Sequence, residues 1–340
     1  MDTGSFKAWL SVLAGLSDAQ IEEAGVALIA AREARPGVEV SCGPAALAAE
    51  GELLARIGQA RQARQGCPHC GGDEIGRWGR CRGKPRYRCA SCSRTFTPLT
   101  GTPLAGLHYP DRWGLQADAL MAGETIAQAA RRCGVHSTTA FRWRHRFLAA
   151  LNQDKPARLN GIVEADETFI LESFKGKRGG LKRAARKRGG KAAKRGLSAE
   201  QIPVMVARDR SGATVDAVLP ALDARSIGRA LGDVLASPAQ LCCDGGSAIK
   251  AFARRAGLTM HVLPAPGAPR PEAPELHINN VNAYHGRLKE WMRRFHGVAT
   301  ANPPSYLSWR RTIEAFGETR TQGKWIMAAA GIGPYQRITL

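Results

Sequence analysis

Residues 161–171 read Gly161-Ile162-Val163-Glu164-Ala165-Asp166-Glu167-Thr168-Phe169-Ile170-Leu171. The stretch is predicted as a strand, and it carries three carboxylates amid apolar residues. Downstream, Ile202–Asp209 and Thr214–Leu219 read as two more strands and Asp223–Ala236 as a helix. A short buried strand follows at Gln240–Asp244, then a helix at Ala248–Ala256, a strand at Thr259–Leu263 and a helix at Asn280–Phe295. Three strands, then helix, strand, helix, strand and helix, is an α/β layer order.

Asp244 ends the buried run Leu241-Cys242-Cys243 and is followed by Gly245-Gly246. A carboxylate at the carboxyl end of such a strand occupies a common ligand position. The alternative is that Asp244 caps the next helix. Oxygen ligands from separate elements, converging at a strand edge, are what a pair of divalent cations needs. Alternation alone does not choose between Glu164, Asp166 and Glu167. Between the first two strands, 175–195 holds eleven Lys or Arg and no acid; its self-repulsion predicts a disordered loop.

Charge narrows the partner. The 340 residues include 49 Lys or Arg against 29 Asp or Glu, a formal charge of +20. That excess calls for a polyanion, and an acidic small molecule would not require it. No apolar run reaches the 18 or more residues of a membrane span. The apolar stretch Ala8–Leu16 follows Asp2 and a single Lys7 and lacks a cleavage site, so a signal peptide is not expected and the protein is placed in the cytoplasm. Residues 1–66 are rich in Ala, Glu and Arg, with a capped helix start expected at Ser17-Asp18-Ala19-Gln20-Ile21-Glu22-Glu23.

Nine cysteines, an odd number, argue against a disulfide framework. Cys67-Pro68-His69-Cys70 and Cys89-Ala90-Ser91-Cys92 form two CxxC knuckles at the spacing of a four-cysteine zinc site. Cys81 is expected to be a bystander, with His69 the lesser alternative ligand. Cys133, Cys242 and Cys243 read as small buried hydrophobes. The segment between the knuckles alternates like short strands and is basic, with Arg77, Arg80, Arg82, Lys84, Arg86, Arg88 and Arg94 around Trp78, Tyr87 and Phe96. That combination points to DNA contact.

Residues 111–151 read as three helices: Asp111–Met121, Glu124–Arg132 and, after Gly134 and a capping Ser137, Thr138–Leu151. Helix, glycine-containing turn and basic helix make a helix-turn-helix pattern. The third helix carries Arg142, Arg144, His145 and Arg146 and is expected to pack through Phe141, Phe147 and Leu148. The start of such a helix, here Thr138 and Thr139, meets the major groove, with Arg142, Arg144 and Arg146 behind it. Asn152–Asn160 reads as a linker.

In this order the motifs resemble insertion-sequence transposases of the IS1595 family with an ISXO2-like catalytic domain. The matching segments are Cys67–Cys70, Thr139–Phe147 (Thr-Ala-Phe-Arg-Trp-Arg-His-Arg-Phe), Gly161–Phe169, Asp244–Ser247 (Asp-Gly-Gly-Ser), and His277–Lys289 (His-Ile-Asn-Asn-Val-Asn-Ala-Tyr-His-Gly-Arg-Leu-Lys). Each is weak alone; together they span 65–317.

The resemblance implies a multidomain protein. It would comprise N-terminal helices (1–66), a zinc ribbon (67–100), a helix-turn-helix (111–151), an α/β ribonuclease-H-like catalytic core (160–317) and a C-terminal tail (318–340). It maps the first and second catalytic carboxylates onto Asp166 and Asp244, the third position onto Asn282 and a trailing lysine onto Lys289. Asn282 departs from the acidic triad of most such enzymes, although some family members also have Asn there. An amide oxygen is still a hard donor for Mg²⁺. Lys289, two helical turns on, is placed to hold a DNA phosphate, and His277 to contact phosphate or water. The nearby His285 and Glu290 have no spacing that recommends them as ligands.

The implied cofactors are structural Zn²⁺ and two catalytic Mg²⁺ or Mn²⁺ ions. The implied partners are double-stranded DNA, both terminal inverted repeats and target, and further copies of the chain in a synaptic complex near the nucleoid. Two other readings stay open: a catalytically inactive, transposase-derived DNA-binding protein, and a ribonuclease-H-like nuclease or resolvase.

Overall fold

The computed structural model describes residues 15–17, 20, 54–59 and 66–335, apart from 82, 178, 182, 185, 187–189, 195–197, 236–237 and 264–272. Most of the expected helix start at 17–23 lies outside the described residues. The chain divides into two units, 1–43 and 44–340, and every strand and helix below belongs to the second.

Three antiparallel strands, β1 (Ile75–Cys81), β2 (Lys84–Cys89) and β3 (Thr95–Phe96), form a small sheet in that order. Its buried core is Cys67, Cys89 and Phe96, with Ile75, Tyr87 and Cys92 packed around them. So few apolar residues cannot hold a module of this size without a staple. Trp78 is half exposed, with the Arg88 guanidinium stacked 4.6 Å from its ring centroid.

Helices α1 (Trp113–Met121), α2 (Ile126–Cys133) and α3 (Ser137–Ala149) follow. Thr125 and Gln128 form a reciprocal capping box at the start of α2, and Gly134 ends that helix in the left-handed region at φ 60°. Ser137 is not the cap of α3. It is the first helical residue, and His136 Nδ1 accepts the Thr138 amide N–H instead. The buried stripe of α3 runs through Ala140, Trp143, Arg144, Phe147 and Leu148. Phe141, expected inside, is 45% exposed and stands beside His145.

Five strands then form a mixed sheet: β4 (Ile162–Leu171), β5 (Gln201–Asp209), β6 (Thr214–Val218), β7 (Gln240–Cys243) and β8 (Thr259–Val262), in the order β6-β5-β4-β7-β8. The β4, β5 and β6 pairings are antiparallel, while β7 runs parallel to β4 and β8 parallel to β7. Helices α4 (Ala224–Leu231) and α5 (Ser247–Ala256) lie between these strands in sequence. They cover the face lined by Val163, Ala165, Met205, Ala207, Leu241 and Cys243. The alternate residues Val204, Val206 and Cys242 face the other way, as strand periodicity demands.

That second face is covered by α6 (Asn279–Arg293) and α7 (Pro303–Phe316), and a last helix, α8 (Gln322–Ala329), follows. Its core is continuous with the helix-turn-helix: Trp113, Trp143 and Phe147 belong to the same buried cluster as Tyr284, Trp291, Trp309 and Trp325. The expected linker is therefore tied to the interior through Asp154, Pro156 and Leu159, which are buried. Arg311 is buried in an ion pair with Asp216 and donates from Nη2 to the carbonyls of Leu151 (2.8 Å) and Asp154 (3.2 Å). Lys155 Nζ donates to the Asp216 carbonyl at 2.9 Å.

The expected C-terminal tail is also corrected. Helix α8 packs against α1 and α3 with Trp325 fully buried, and the Tyr335 amide donates to Asp154 Oδ1 at 3.2 Å. The basic insertion is anchored where it is described. Arg183 and Arg186 pair with Glu172 and Glu200 at its base, and Lys175 Nζ donates to the Phe295 and Gly297 carbonyls. The charge run finds acids at both ends, so mutual repulsion does not by itself decide its state.

Candidate active site and DNA interface

Strand β4 outruns its parallel neighbour. Ile162, Val163 and Glu164 pair with Gln240, Leu241 and Cys242. The same offset sets Asp166 beside Asp244, where β7 has ended. Asp166, Glu167 and Asp244 each offer a carboxylate oxygen within 4.8 Å of the others. Asp244 does not cap α5: the cap position is Gly246, and Asp244 Oδ1 accepts the Gly246 amide at 3.0 Å. Gly245 has φ 87°, and a Cβ there would meet Val262 Cγ1 at 2.5 Å, so this turn requires glycine.

Glu167 is shifted upward from its ordinary carboxylate range, first by burial and then by the charges of Asp166 and Asp244. Three hard oxygen donors that repel one another this closely fit a divalent cation. Strand alternation leaves Glu167 level with two other acids. The pairing register singles it out, because it brings 166 and 167 level with the end of β7.

Glu164, two residues before Asp166, is sequestered. It is fully buried; its Oε2 accepts the Val281 amide at 2.9 Å and its Oε1 accepts the Asn280 side-chain amide at 2.9 Å. The Arg210 guanidinium also pairs with it. His277, expected to contact phosphate or water, has partners within the chain. Its Nδ1 accepts the Asn279 amide at 3.3 Å at the start of α6 and lies 3.2 Å from Arg210 Nη1. Burial, then Arg210, lowers its pKa. Asn282 is exposed on the first turn of α6. His285, one turn on, is buried with Nδ1 3.5 Å from Asp166 Oδ2. Lys289 is exposed a further turn along. His285 thus belongs beside the site although its spacing does not mark it as a ligand; its offset of three from Asn282 is the signal the sequence holds.

The four knuckle cysteines also converge. Sγ of Cys67 lies 3.7 Å from that of Cys92, and Cys70 3.6 Å from Cys89; all four lie within 4.8 Å of one another. Tetrahedral coordination with metal–sulfur bonds of about 2.3 Å places sulfurs about 3.8 Å apart, so the cluster fits zinc. The backbone N–H of Cys92 lowers Cys89 to about 6, favouring the thiolate. His69 stands outside the cluster with Nε2 3.4 Å from the Thr95 carbonyl oxygen, and Cys81 is exposed.

On α3, Thr138 and Arg142 are exposed and Thr139 is half-buried beside them on the first turns. Arg144 is not on this face. It is 1% exposed, donates to the Glu124 carbonyl and lies against Trp309 and Phe295. Its place in the i, i+3, i+4 stripe with Ala140, Trp143 and Phe147 explains the burial. Arg146 spends its guanidinium on the carbonyls of Pro103 and Ala105, tying the preceding loop to α3. Arg144 is structural, while Arg142 and Arg146 both stay exposed, Arg146 with its guanidinium engaged by the preceding loop.

A helix-turn-helix is thus joined through one core to a sheet with converging carboxylates. Residues 158–310 match the model of the ISXO2-like transposase domain, and residues 112–154 that of a homeodomain-like domain. A Halobacterium salinarum protein described as an uncharacterized protein in transposable element ISH50 is 29% identical over 246 residues, 71% of this chain and 82% of that one. These matches support a DNA transposase that carries an ISXO2-like transposase domain at residues 158–310.

Two solved Mos1 structures are also similar in part. The pre-cleavage transpososome is 16% identical, spans 65% of this chain and 79% of that chain, and has a TM-score of 0.18. The strand transfer complex is 17% identical, spans 65% and 78%, and has a TM-score of 0.21. Scores this low do not establish a shared fold. No helix among the described residues is long and apolar enough to cross a membrane.

Proposed function

We propose that this transposase cleaves DNA at transposon ends and joins the freed ends to target DNA, using one catalytic site in a ribonuclease-H-like core. The observation that carries the proposal is the convergence of Asp166, midway along β4, with Asp244, just past the end of β7, on a strand that helix α6 packs against. The strand order supports the fold reading: three antiparallel strands extended by two parallel ones. Asp166 and Asp244, with Asn282 as an uncharged third donor, would hold two Mg²⁺ or Mn²⁺ ions, and Glu167 adds a fourth oxygen source within reach. Such ions supply charge for the attacking and leaving oxygens of a phosphodiester displacement.

The chain's own residues do the rest. Lys289, on the exposed side of α6, holds a phosphate of the reacting strand. Thr138, Thr139 and Arg142 on α3 read the terminal inverted repeat, with Arg142 aimed at a guanine edge. Zinc held by Cys67, Cys70, Cys89 and Cys92 staples a basic ribbon that adds backbone contacts through Arg77, Arg80, Arg86 and Arg88. Cleavage frees a 3′-OH, which then attacks target DNA, with copies of the chain pairing the two ends.

Labelled terminal-repeat DNA incubated with the protein and target plasmid, with and without Mg²⁺, tests this. Cation-dependent nicking followed by joined product is expected. Nicking without joining would favour a nuclease or resolvase, and binding without nicking an inactive derivative.

A further inference from the structure

Glu164 carries no role in the reaction as proposed, yet it is fully buried and held through both carboxylate oxygens. By strand alternation it shares a face of β4 with Asp166, the face that α6 covers. Its two donors at 2.9 Å, the Val281 amide and the Asn280 side chain, belong to the two residues immediately before Asn282. Arg210 supplies the countercharge. A fully buried carboxylate is costly unless its oxygens are matched in this way, and both oxygens are spent. Glu164 is accordingly absent from the cluster formed by Asp166, Glu167 and Asp244.

The same helix meets the same strand a second time, one turn on, where His285 Nδ1 lies 3.5 Å from Asp166 Oδ2. Helix α6 is thus clamped to β4 at 280–281 and approaches it again at 285, and Asn282 lies between these two places. We infer that Glu164 is a positioning residue: its buried carboxylate fixes the first turn of α6 and so sets how Asn282 meets the cations held by Asp166 and Asp244. The inference rests on Asn282 being a ligand. A group that acts on a ligand from behind commonly changes cation affinity or activity about 10–100-fold when altered.

The test is a double-mutant cycle in the full chain bound to terminal-repeat DNA. Mn²⁺ affinity is read by calorimetric titration, and the Mn²⁺ concentration for half-maximal nicking is read beside it. Glu164→Gln keeps the side-chain volume but sets an amide N–H₂ against Arg210 and Asn280, so it preserves packing while breaking the clamp. It is expected to weaken Mn²⁺ binding about tenfold and to raise the half-maximal concentration equally, with DNA affinity unchanged. In an Asn282→Ala background, Glu164→Gln should add less than about twofold, because the two act through one atom.

A full tenfold effect in that background, or no effect of Glu164→Gln on Mn²⁺ affinity in the wild-type background, overturns the inference. If Asn282→Ala alone binds Mn²⁺ like wild type, the assignment of Asn282 has failed instead. Glu164→Ala serves as the stronger lesion where it folds, and Glu164→Gln decides the matter where it does not.

Discussion

The guanidinium of Arg144 lies 4.8 Å from the centre of the Trp309 ring. One residue belongs to the helix expected to read DNA, the other to a helix packed beneath the catalytic sheet. Their contact makes two modules that are distinct in sequence into one interior.

Arg142 and Arg144, two positions apart, should separate cleanly on mutation. Arg142→Ala is expected to narrow the gap between terminal-repeat and random DNA by about 1–3 kcal/mol and to leave the melting temperature alone. Arg144→Ala should do the reverse, costing about 3 kcal/mol of stability through lost packing and an orphaned Glu124 carbonyl. Fluorescence anisotropy on both DNAs and denaturant unfolding of both variants check this. Equal loss of specificity in the two would remove α3 from base readout.

Zinc analysis of the purified protein should give one ion per chain. Cys89→Ser is expected to release it and unfold β1–β3, since the module's apolar core is so small. Cys81→Ser, at an exposed cysteine outside the cluster, should leave zinc content unchanged. Equal zinc in wild type and Cys89→Ser would contradict the assignment.

Asp166→Ala and Asp244→Ala should each abolish nicking while sparing affinity for terminal-repeat DNA, because α3 and the basic ribbon lie elsewhere on the chain. Glu167→Gln removes one of three converging charges. In cation-free buffer it should raise the melting temperature, and added Mg²⁺ should stabilise it less than wild type. Scanning calorimetry with and without Mg²⁺ reads both effects, and an unchanged Mg²⁺ response would take Glu167 out of the site.

Arg311 and Asp216 form a buried ion pair, and removing one partner leaves a charge stranded. Asp216→Ala should cost about 3–5 kcal/mol. Because the cluster spans both modules, far-UV circular dichroism and tryptophan fluorescence should follow one transition for the helix-turn-helix and the sheet together. Two separated transitions in the wild-type protein would refute the shared core.

Local pattern alone carries much of this architecture. The strands of the mixed sheet stand out in the sequence because their apolar runs are short and bounded by turn residues. The cysteine cluster stands out because CxxC spacing constrains sulfur positions almost by itself. What local pattern does not carry is long-range. Arg144 reads as one more cation in a basic helix until the i, i+3, i+4 stripe is completed by Trp309 from far along the chain. Pro303 and Pro304 followed by Tyr306, Trp309, Ile313 and Phe316 carry a helical period, yet nothing local says that α7 must lie under the DNA-binding helices. Residues 152–160 look like a linker because Asn152, Asp154, Lys155 and Pro156 are polar or turn-forming. Their anchoring depends on Arg311 and Asp216, which only the fold brings to them. Glu167 and Glu164 differ in fate because β7 stops where it does, a fact of sheet register rather than of composition.

The anchoring of the Asn152–Asn160 segment to the core has a consequence for choreography. A molecule that cuts one DNA and then attaches it to another must rearrange something between the two acts. Among the described residues the reading helices and the carboxylates share one interior. On the proposed function, handing a freed end to its target then calls for movement of the DNA rather than a turn between α3 and the sheet.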